Sequence, residues 1–350
     1  MDQFYQQNQY GKIPLEFDHN FSELHGELPN HTEKRQLMLH STVVGLCVIL
    51  FILLQNYLPS FIIGPNLARI YLSSDIAAMA MDILFSLIGI FIPFVIGGFF
   101  VKKITPDVEV FPYKKPYSKS LFFIAIAIGA FALLISNYIT TVFVYAMENV
   151  GVEITSPSDE LFTGGFGQYA MCILRGAVTP ALIEEFAFRG VVMQPLRKFG
   201  DTFAIVVSSF MFAIMHGNMV QAPFAFILGC AIGYLVVVTG SLWTGVAIHF
   251  INNAFSITMS AVSSQMGFES YYKVFTVISI IMFVFGVGAT IWYVLNRRRY
   301  PSLNKRGGVS KQQRRQYSKS AVKTYLISPA LLIAIGILIY NMTDYIKLGG

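Results

Sequence analysis

The sequence predicts an all-α protein, a polytopic bundle of about nine transmembrane helices with its N-terminus inside the cell. Three observations support this fold class. The 350 residues are 55% hydrophobic and only 13% charged, which is far more apolar than an ordinary soluble domain. Apolar runs recur along the chain, and most approach or exceed the roughly 20 residues that span a hydrocarbon core. The connections between these runs alternate between basic and acidic character.

The predicted spans are apolar segments that end at polar or charged residues. In chain order they cover residues 37–54, 77–100, 121–147, 169–188, 203–216, 223–238, 242–262, 274–295 and 325–342. The fifth and sixth are the least sharply delimited. We expect each segment to be a helix, because a helix satisfies its own backbone hydrogen bonds inside lipid.

The charges of the connections predict the orientation of the chain. Basic residues flank the first span, follow the second and fourth, and begin a long stretch after the eighth: Lys34, Arg35, Lys102, Lys103, Lys114, Lys115, Lys119, Arg197, Lys198, Arg297, Arg298 and Arg299. The alternate connections are mostly acidic: Asp75, Glu148, Glu153, Asp159, Glu160 and Glu269. Cytoplasmic loops are enriched in Lys and Arg, so we expect the N-terminus inside and the C-terminus outside. The net charge of +6 then reflects topology and contact with anionic membrane lipids, and we expect no binding of nucleic acid.

The chain is expected to divide into five segments. Residues 1–36 are a polar cytoplasmic tail, 37–119 are N-terminal membrane helices, 120–296 are the membrane core, 297–324 are a basic cytoplasmic loop, and 325–350 carry the last helix. The tail has no apolar core led by basic residues, so it is not predicted to be a secretory signal peptide.

Few polar side chains fall inside the predicted spans, and a charge at membrane depth is costly enough to suggest function. The main set comprises Asp82, Arg175, Glu184, Glu185, Arg189, His216, Asn218, His249, Asn252 and Asn253. Asp82 and Arg175 lie near the outer ends of their spans, so we expect a structural ion pair between them. Taken singly, a histidine or asparagine of this set is better explained by hydrogen bonding between helices than by catalysis.

Helical spacing relates the remaining members, because residues four apart share a face. Arg189 is expected to neutralise Glu185 and to leave Glu184 without a local partner. If the helix continues to a turn near Gly200, an antiparallel hairpin brings Glu184 level with His216. The same spacing places Phe212 beside His216, and Asn253 beside His249.

These residues form three motifs that resemble those of a known family. The string PALIEEFAFRG at residues 180–190 resembles the EExxxR motif of the CPBP intramembrane proteases, which include the CAAX prenyl endopeptidases. FAIMH at 212–216 is similar to FxxxH, and HFINN at 249–253 is similar to HxxxN, in the order that the family has. The resemblance covers residues 120–295.

The resemblance implies an intramembrane endopeptidase that hydrolyses a peptide bond in a membrane-associated protein or peptide. The implied catalytic residues are Glu184, His216, His249 and Asn253, with Glu185 and Arg189 as a supporting pair. Glu184 would activate a water as general base, His216 would share or orient that water, and His249 with Asn253 would stabilise the oxyanion.

Several alternatives stay open at the level of sequence. Glu184, His216 and His249 could instead hold zinc, although the chain has no HExxH and Asn is a poor zinc ligand, so no cofactor is expected. A non-catalytic regulator, immunity protein or scaffold of the same family, or a proton-coupled transporter, is also compatible with the polar set. We expect a multi-pass protein of a bacterial cell membrane. Prenylated CAAX proteins, leader peptides and pheromone precursors are candidate substrates, and the sequence does not indicate an oligomeric state.

Overall fold

A computed structural model of the protein describes residues 28–154, 164–303 and 311–348. Residues 1–27 of the predicted tail, the acids Asp159 and Glu160, and residues 304–310 of the predicted basic loop lie outside the described residues. The described part is helical apart from its connections and one short pairing of two antiparallel strands. The predicted all-α class is therefore confirmed.

The elements are labelled in chain order. The first half contains α1 (His31–Ile62), α2 (Pro65–Ser73), α3 (Asp75–Ile104), α4 (Lys119–Asn149) and β1 (Val152–Ile154). The second half contains α5 (166–199), α6 (Asp201–Met215), α7 (Gln221–Thr239), α8 (Leu242–Leu295), α9 (Lys311–Leu326), α10 (Pro329–Met342) and β2 (Ile346–Leu348).

Within the described residues, five helices are long and apolar enough to cross a membrane: His31–Tyr57, Asp75–Ile104, Lys119–Asn149, Gln221–Thr239 and Leu242–Leu295. A sixth candidate is a pair bent by 79°, Arg315–Leu326 with Pro329–Tyr345. The chain is thus an integral membrane protein with five or six candidate spans, and the count of nine stays a prediction. Part of the difference lies in α8, which contains two predicted spans on either side of the non-helical residue Gly267 (φ 79°, ψ 171°).

Three stretches of the described helices are π-helical rather than α-helical: Leu87–Phe91 in α3, and Leu174–Val178 and Glu185–Met193 in α5. Each ends two residues before a proline, namely Pro93, Pro180 or Pro195. Proline lacks an N–H, and its ring clashes with the carbonyl four residues earlier. A local π turn is one way in which a membrane helix accommodates that defect. The segment with the paired glutamates therefore departs from the regular α geometry that the sequence suggested.

The predicted cytoplasmic connections meet at one end of the bundle. Lys198, at the end of α5, donates a hydrogen bond to Gln36 of α1, and Gln36 donates to the carbonyl of Ile104 at 3.1 Å. The connection 105–118 follows Ile104. Within it, the Pro112 carbonyl accepts a hydrogen bond from the Leu242 N–H of α8 at 3.1 Å. Segments that are distant in sequence and share a basic character are thus neighbours in space.

The acidic connections meet at the other end. Gln168 donates to Asp75 at 3.0 Å, and Asp75 begins α3, the helix that ends at Ile104. At the same level β1, which follows α4, pairs with β2 near the C-terminus, with Ile154 opposite Ile346.

The predicted ion pair between Asp82 and Arg175 is present, with 2.8 Å between Oδ2 and Nη1. It joins α3 to α5. These two helices also contact each other elsewhere along their lengths.

Two helices extend into segments that were interpreted as a tail and a loop. α1 begins at His31 because Asn30 and Glu33 form a capping box. In the predicted basic loop, α9 buries Tyr317, together with Ala321 and Tyr325 at four-residue spacing. α9 packs against α1, where the Tyr317 hydroxyl donates to Glu33 at 3.1 Å.

Candidate active site

Four helices bring the motif residues together. α5 carries Glu184 at the entry to its second π segment, with Glu185 and Arg189 inside that segment. Gly200 (φ 127°) forms the turn into α6, which returns antiparallel to α5 and ends beside His216. α7 and α8 pack around this hairpin. The turn occurs where the hairpin prediction required it.

Glu185 is the buried centre of the site. Its Oε1 atom accepts a hydrogen bond from His249 Nδ1 at 3.0 Å and lies 3.0 Å from Arg189 Nη1. The side chains of Glu185 and Arg189 are both 0% exposed. A charge so deeply buried needs compensation by a partner. The four-residue spacing predicted the arginine as that partner, whereas His249 as a second partner depends on how α8 packs against α5.

The Arg189 guanidinium is fixed on two further sides. Nη2 donates to the Gly229 carbonyl of α7 at 3.2 Å, and the guanidinium carbon lies 4.6 Å from the centre of the Phe212 ring. The aromatic face stabilises the cation in the absence of water. α7 approaches this closely because residue 229 has no side chain: a Cβ there would lie 3.3 Å from Nη2.

Glu184 differs from its neighbour in exposure and in contacts. Its side chain is 19% exposed, and its Oε2 lies 3.8 Å from Nε2 of His249. That separation is longer than a direct hydrogen bond. A water or a substrate oxygen is the usual bridge between polar atoms at such a distance. The His249 imidazole therefore lies between a buried carboxylate that is paired and a partly exposed one that is not held by Arg189.

His216 is oriented by its own helix and by an aromatic ring. Its Nδ1 bonds to the Phe212 carbonyl at 2.8 Å. A carbonyl only accepts, so Nδ1 carries the hydrogen, and Nε2 of the neutral ring is left as an acceptor. The Phe212 ring packs edge-on against His216, with centroids 4.8 Å apart, and against His249 at 5.6 Å. Phe212 is thus a wall shared by both imidazoles.

The three asparagines of the predicted polar set have different environments. Asn253 lies one turn after His249 on α8, and its Oδ1 accepts from Asn252 Nδ2 at 2.8 Å. That bond uses the amide oxygen and leaves the Asn253 Nδ2 hydrogens as donors. Asn218 instead accepts from the N–H groups of Val220 and Gln221, both at 2.9 Å, and so satisfies two backbone donors at the start of α7.

Sequence reasoning missed the connection 105–118, which packs on the π segment. Phe111 stacks on Phe186 with centroids 4.6 Å apart and lies against Gly190, where a Cβ would come within 3.0 Å of the ring. Tyr113 packs edge-on against Trp243 at 5.3 Å. Burial, and then the charge of Glu185, raise the pKa of Tyr113 to about 12. The signal in the sequence that could have revealed this packing is the aromatic content of the connection, which is unusual for a basic loop.

Sequence reasoning also missed Gly245, which lies one turn before His249 on α8. A Cβ at this position would lie 2.5 Å from Glu185 Oε2. A glycine here lets α8 approach the buried carboxylate, and that approach allows His249 to reach it.

The described residues contain no group of three or more His, Cys, Asp or Glu side chains placed to hold a metal ion. The three predicted candidates, Glu184, His216 and His249, do not form such a group. In both histidines Nδ1 bonds to an oxygen acceptor.

Comparison with known proteins matches residues 166–255 to the family model of the type II CAAX prenyl endopeptidases, described as Rce1-like. The match begins with α5 and ends two residues after Asn253, so it contains all three motifs. No curated protein and no solved structure matched the chain. The match supports the CPBP/CAAX protease family for the segment 166–255, which carries the three motifs.

Proposed function

We propose that the protein is an intramembrane endopeptidase that hydrolyses a peptide bond in a membrane-associated protein or peptide, with a water activated by Glu184. The observation that carries the proposal is the position of His249 between Glu185, which is buried and paired with Arg189, and the partly exposed Glu184. The match to the CAAX protease family supports a protease in general.

The two glutamates have different roles in this mechanism. Glu184 is reachable by water, so its carboxylate takes a proton as the water oxygen attacks the carbonyl carbon of the substrate. His216 Nε2 accepts the other hydrogen of that water and orients it. Glu185 stays bound to Arg189 and His249 throughout and fixes the imidazole.

The carbonyl oxygen of the substrate becomes an oxyanion when the water attacks. In this proposal His249 carries both ring hydrogens, so that Nδ1–H binds Glu185 and Nε2–H binds the oxyanion. The Asn253 amide is the second donor. When the tetrahedral intermediate collapses, the C–N bond breaks and Glu184 returns its proton to the leaving nitrogen, which restores the carboxylate.

The direct test compares cleaved membrane-associated peptides from cells that carry the wild type, Glu184→Gln or His249→Ala. Loss of a general base typically costs a factor of about 10² to 10⁴ in rate, and loss of an oxyanion donor about 10² to 10³, so both variants should leave the precursor peptides intact. Glu269→Gln is the matched control, because Glu269 is exposed and forms an ion pair with Lys273. Peptide profiles that are unchanged in both site variants would defeat the protease hypothesis.

The metal-free mechanism is separable from the zinc alternative. Treatment of the purified protein with a zinc chelator should leave cleavage unchanged, since no step of the proposed mechanism uses a metal. Cleavage that is abolished by the chelator and restored by added zinc would overturn the glutamate mechanism in favour of a metal-bound nucleophile.

We also propose the setting of this activity. The basic end of the bundle is cytoplasmic and contacts anionic lipid headgroups, a proposal supported by the gathering of Lys and Arg there and by the exposed Lys319 and Lys323 of α9. The membrane is that of a bacterial cell, by resemblance to the bacterial relatives of the family. Substrates in that setting are leader peptides, pheromone precursors or lipid-anchored peptides, and no nucleic acid is involved.

A further inference from the structure

Pro195 removes a donor from the helix that carries the site. In an α-helix the N–H of residue i+4 donates to the carbonyl of residue i. The residue four positions after Val191 is Pro195, which has no N–H. Val191 is 0% exposed and lies in the same π segment as Glu185 and Arg189. A buried carbonyl needs a donor, so the hydrogen has to come from the Leu196 N–H five residues on, as in a π turn, or from another helix.

His40 of α1 supplies it. Its Nε2 atom lies 3.0 Å from the Val191 carbonyl oxygen, and the side chain is buried. Since the carbonyl can only accept, Nε2 carries the hydrogen and the imidazole is the donor. The ring is held in place by Tyr325 of α9, whose centroid is 5.7 Å away. α1 and α9 lie outside the segment that matches the protease family.

A second side chain that bonds to the π segment provides a contrast. Ser208 of α6 donates to the Phe188 carbonyl at 2.7 Å. Phe188 is followed four and five residues later by Val192 and Met193, both of which carry an N–H. The Phe188 carbonyl therefore keeps a possible backbone donor when Ser208 is removed. The Val191 carbonyl has no donor four residues on and only the Leu196 N–H five residues on, so it has one backbone alternative where Phe188 has two. His40 is therefore the less replaceable of the two.

We propose that His40 is a positioning residue: it donates to the carbonyl that Pro195 deprives of its helical partner, and so holds the π segment in the conformation that sets Glu185 against His249 and Arg189. The catalytic part of this inference rests on the proposed function. It assigns to the N-terminal helix a direct role in shaping a site whose motif residues all lie in α5, α6 and α8.

The test is a double-mutant cycle in the full-length protein in lipid nanodiscs. His40→Leu removes the donor and keeps an apolar side chain, whereas Pro195→Ala gives residue 195 an N–H that can replace it. The melting temperature is measured for each variant, together with kcat and KM on a farnesylated reporter peptide that ends in a CAAX sequence. His31→Leu, exposed on the same helix, and Pro93→Ala, which follows a different π segment, are the matched controls.

We expect His40→Leu to lower the melting temperature and to reduce kcat about tenfold with KM unchanged, because one buried acceptor loses its partner and substrate binding is not touched. Adding Pro195→Ala should restore both quantities, and adding Pro93→Ala should restore neither. His31→Leu should behave as the wild type.

The inference is overturned if the double variant His40→Leu/Pro195→Ala is as unstable and as slow as His40→Leu. It is also overturned if Pro195→Ala restores the melting temperature while kcat never changed, since His40 would then have a structural role only. Equal cleavage by the wild type and Glu184→Gln would instead reject the proposed function. In that event the coupling of His40 and Pro195 in melting temperature still decides whether the bond to Val191 exists.

Discussion

Adjacent glutamates in one helix have opposite environments in this protein. Glu185 is fully buried and contacts both Arg189 and His249, whereas Glu184 is partly exposed and faces the second nitrogen of His249 at a distance that admits a bridging oxygen. Glu185 is fixed because it is buried and paired with two cationic or hydrogen-bonding partners. Glu184 is accessible to water, so it is the carboxylate that can act as the proposed base. The same residue type therefore provides the support and the proposed base.

Gly245 provides a test of how tightly Glu185 must be held. In Gly245→Ala the new methyl group would lie 2.5 Å from Glu185 Oε2 and 2.9 Å from Val236 Cγ2. The carboxylate would have to move away from His249, so we expect a loss of stability of about 1–3 kcal/mol and a marked fall in activity. Urea unfolding and reporter cleavage measure the two effects.

Gly288→Ala is the matched control for that substitution. Gly288 lies on the same helix, and a Cβ there meets nothing within 4 Å among the described residues. Alanine is the better helix former, so this variant should be as stable as the wild type or slightly more stable. Equal behaviour of the two alanine variants would contradict the close approach of α8 to Glu185.

Contacts within one helix were predictable, whereas contacts between helices at the site were not, although the pair of Asp82 with Arg175 between α3 and α5 was predicted. The spacing of Glu185 and Arg189 was sufficient to predict their ion pair, because four residues always return a side chain to nearly the same face. The bond from His249 to Glu185 depends on Gly245, and the bond from His40 to Val191 depends on a missing N–H. The prolines that follow the π segments are visible in the sequence. Whether the preceding turn is α-helical or π-helical, however, depends on which neighbouring groups donate hydrogen bonds to the carbonyls that the proline leaves without a partner.

At the scale of elements, the connection 105–118 is a structural layer over the π segment rather than a solvated loop. Phe111 packs between Phe186 and Gly190, and the backbone of the connection bonds to α7 and α8: Tyr117 N–H donates to the Thr239 carbonyl at 3.1 Å. Its basic residues were predicted to set topology. Its aromatic residues pack against the helix that bears both glutamates, so the connection couples the basic end of the bundle to the site.

The tyrosines of this connection predict a pH dependence. Partial burial raises the pKa of Tyr113, which keeps 37% of its surface exposed, and of Tyr117 to about 12, above the usual value of about 10. Between these values the folded state keeps protons that the unfolded state has lost, so stability falls as pH rises from about 10 to 12. Below about pH 10 the two tyrosines are protonated in both the folded and the unfolded state, so they do not make stability depend on pH.

Melting temperatures at alkaline pH check this expectation. The variant Tyr113→Phe/Tyr117→Phe should lose less stability than the wild type between pH 10 and 12, because phenylalanine does not titrate. Tyr145→Phe, at an exposed position near the end of α4, should follow the wild type. Parallel curves for the double variant and the wild type would show that the connection does not bury these hydroxyls.

At the scale of the whole molecule, the two described ends of the chain lie at opposite ends of the bundle. Gln36 near the start of α1 contacts Ile104 and Lys198, whereas β2 near the C-terminus pairs with β1, beyond the far end of α4. We expect a chain with such ends to cross the membrane an odd number of times, and the count of nine stays a prediction.

Cysteine accessibility in intact cells tests the resulting topology. In a background without Cys47, Cys172 and Cys230, single cysteines are placed at Lys34 and Lys319 at the basic end, and at Glu148 and Glu269 in the acidic connections. A membrane-impermeant maleimide should label the two acidic positions in intact cells and the two basic positions only after lysis, because Lys and Arg are retained on the cytoplasmic side. Labelling of Lys34→Cys in intact cells would reverse the orientation. Labelling of Lys34→Cys and Lys319→Cys on different sides would separate α1 from α9 across the membrane, which the bond between Tyr317 and Glu33 does not allow.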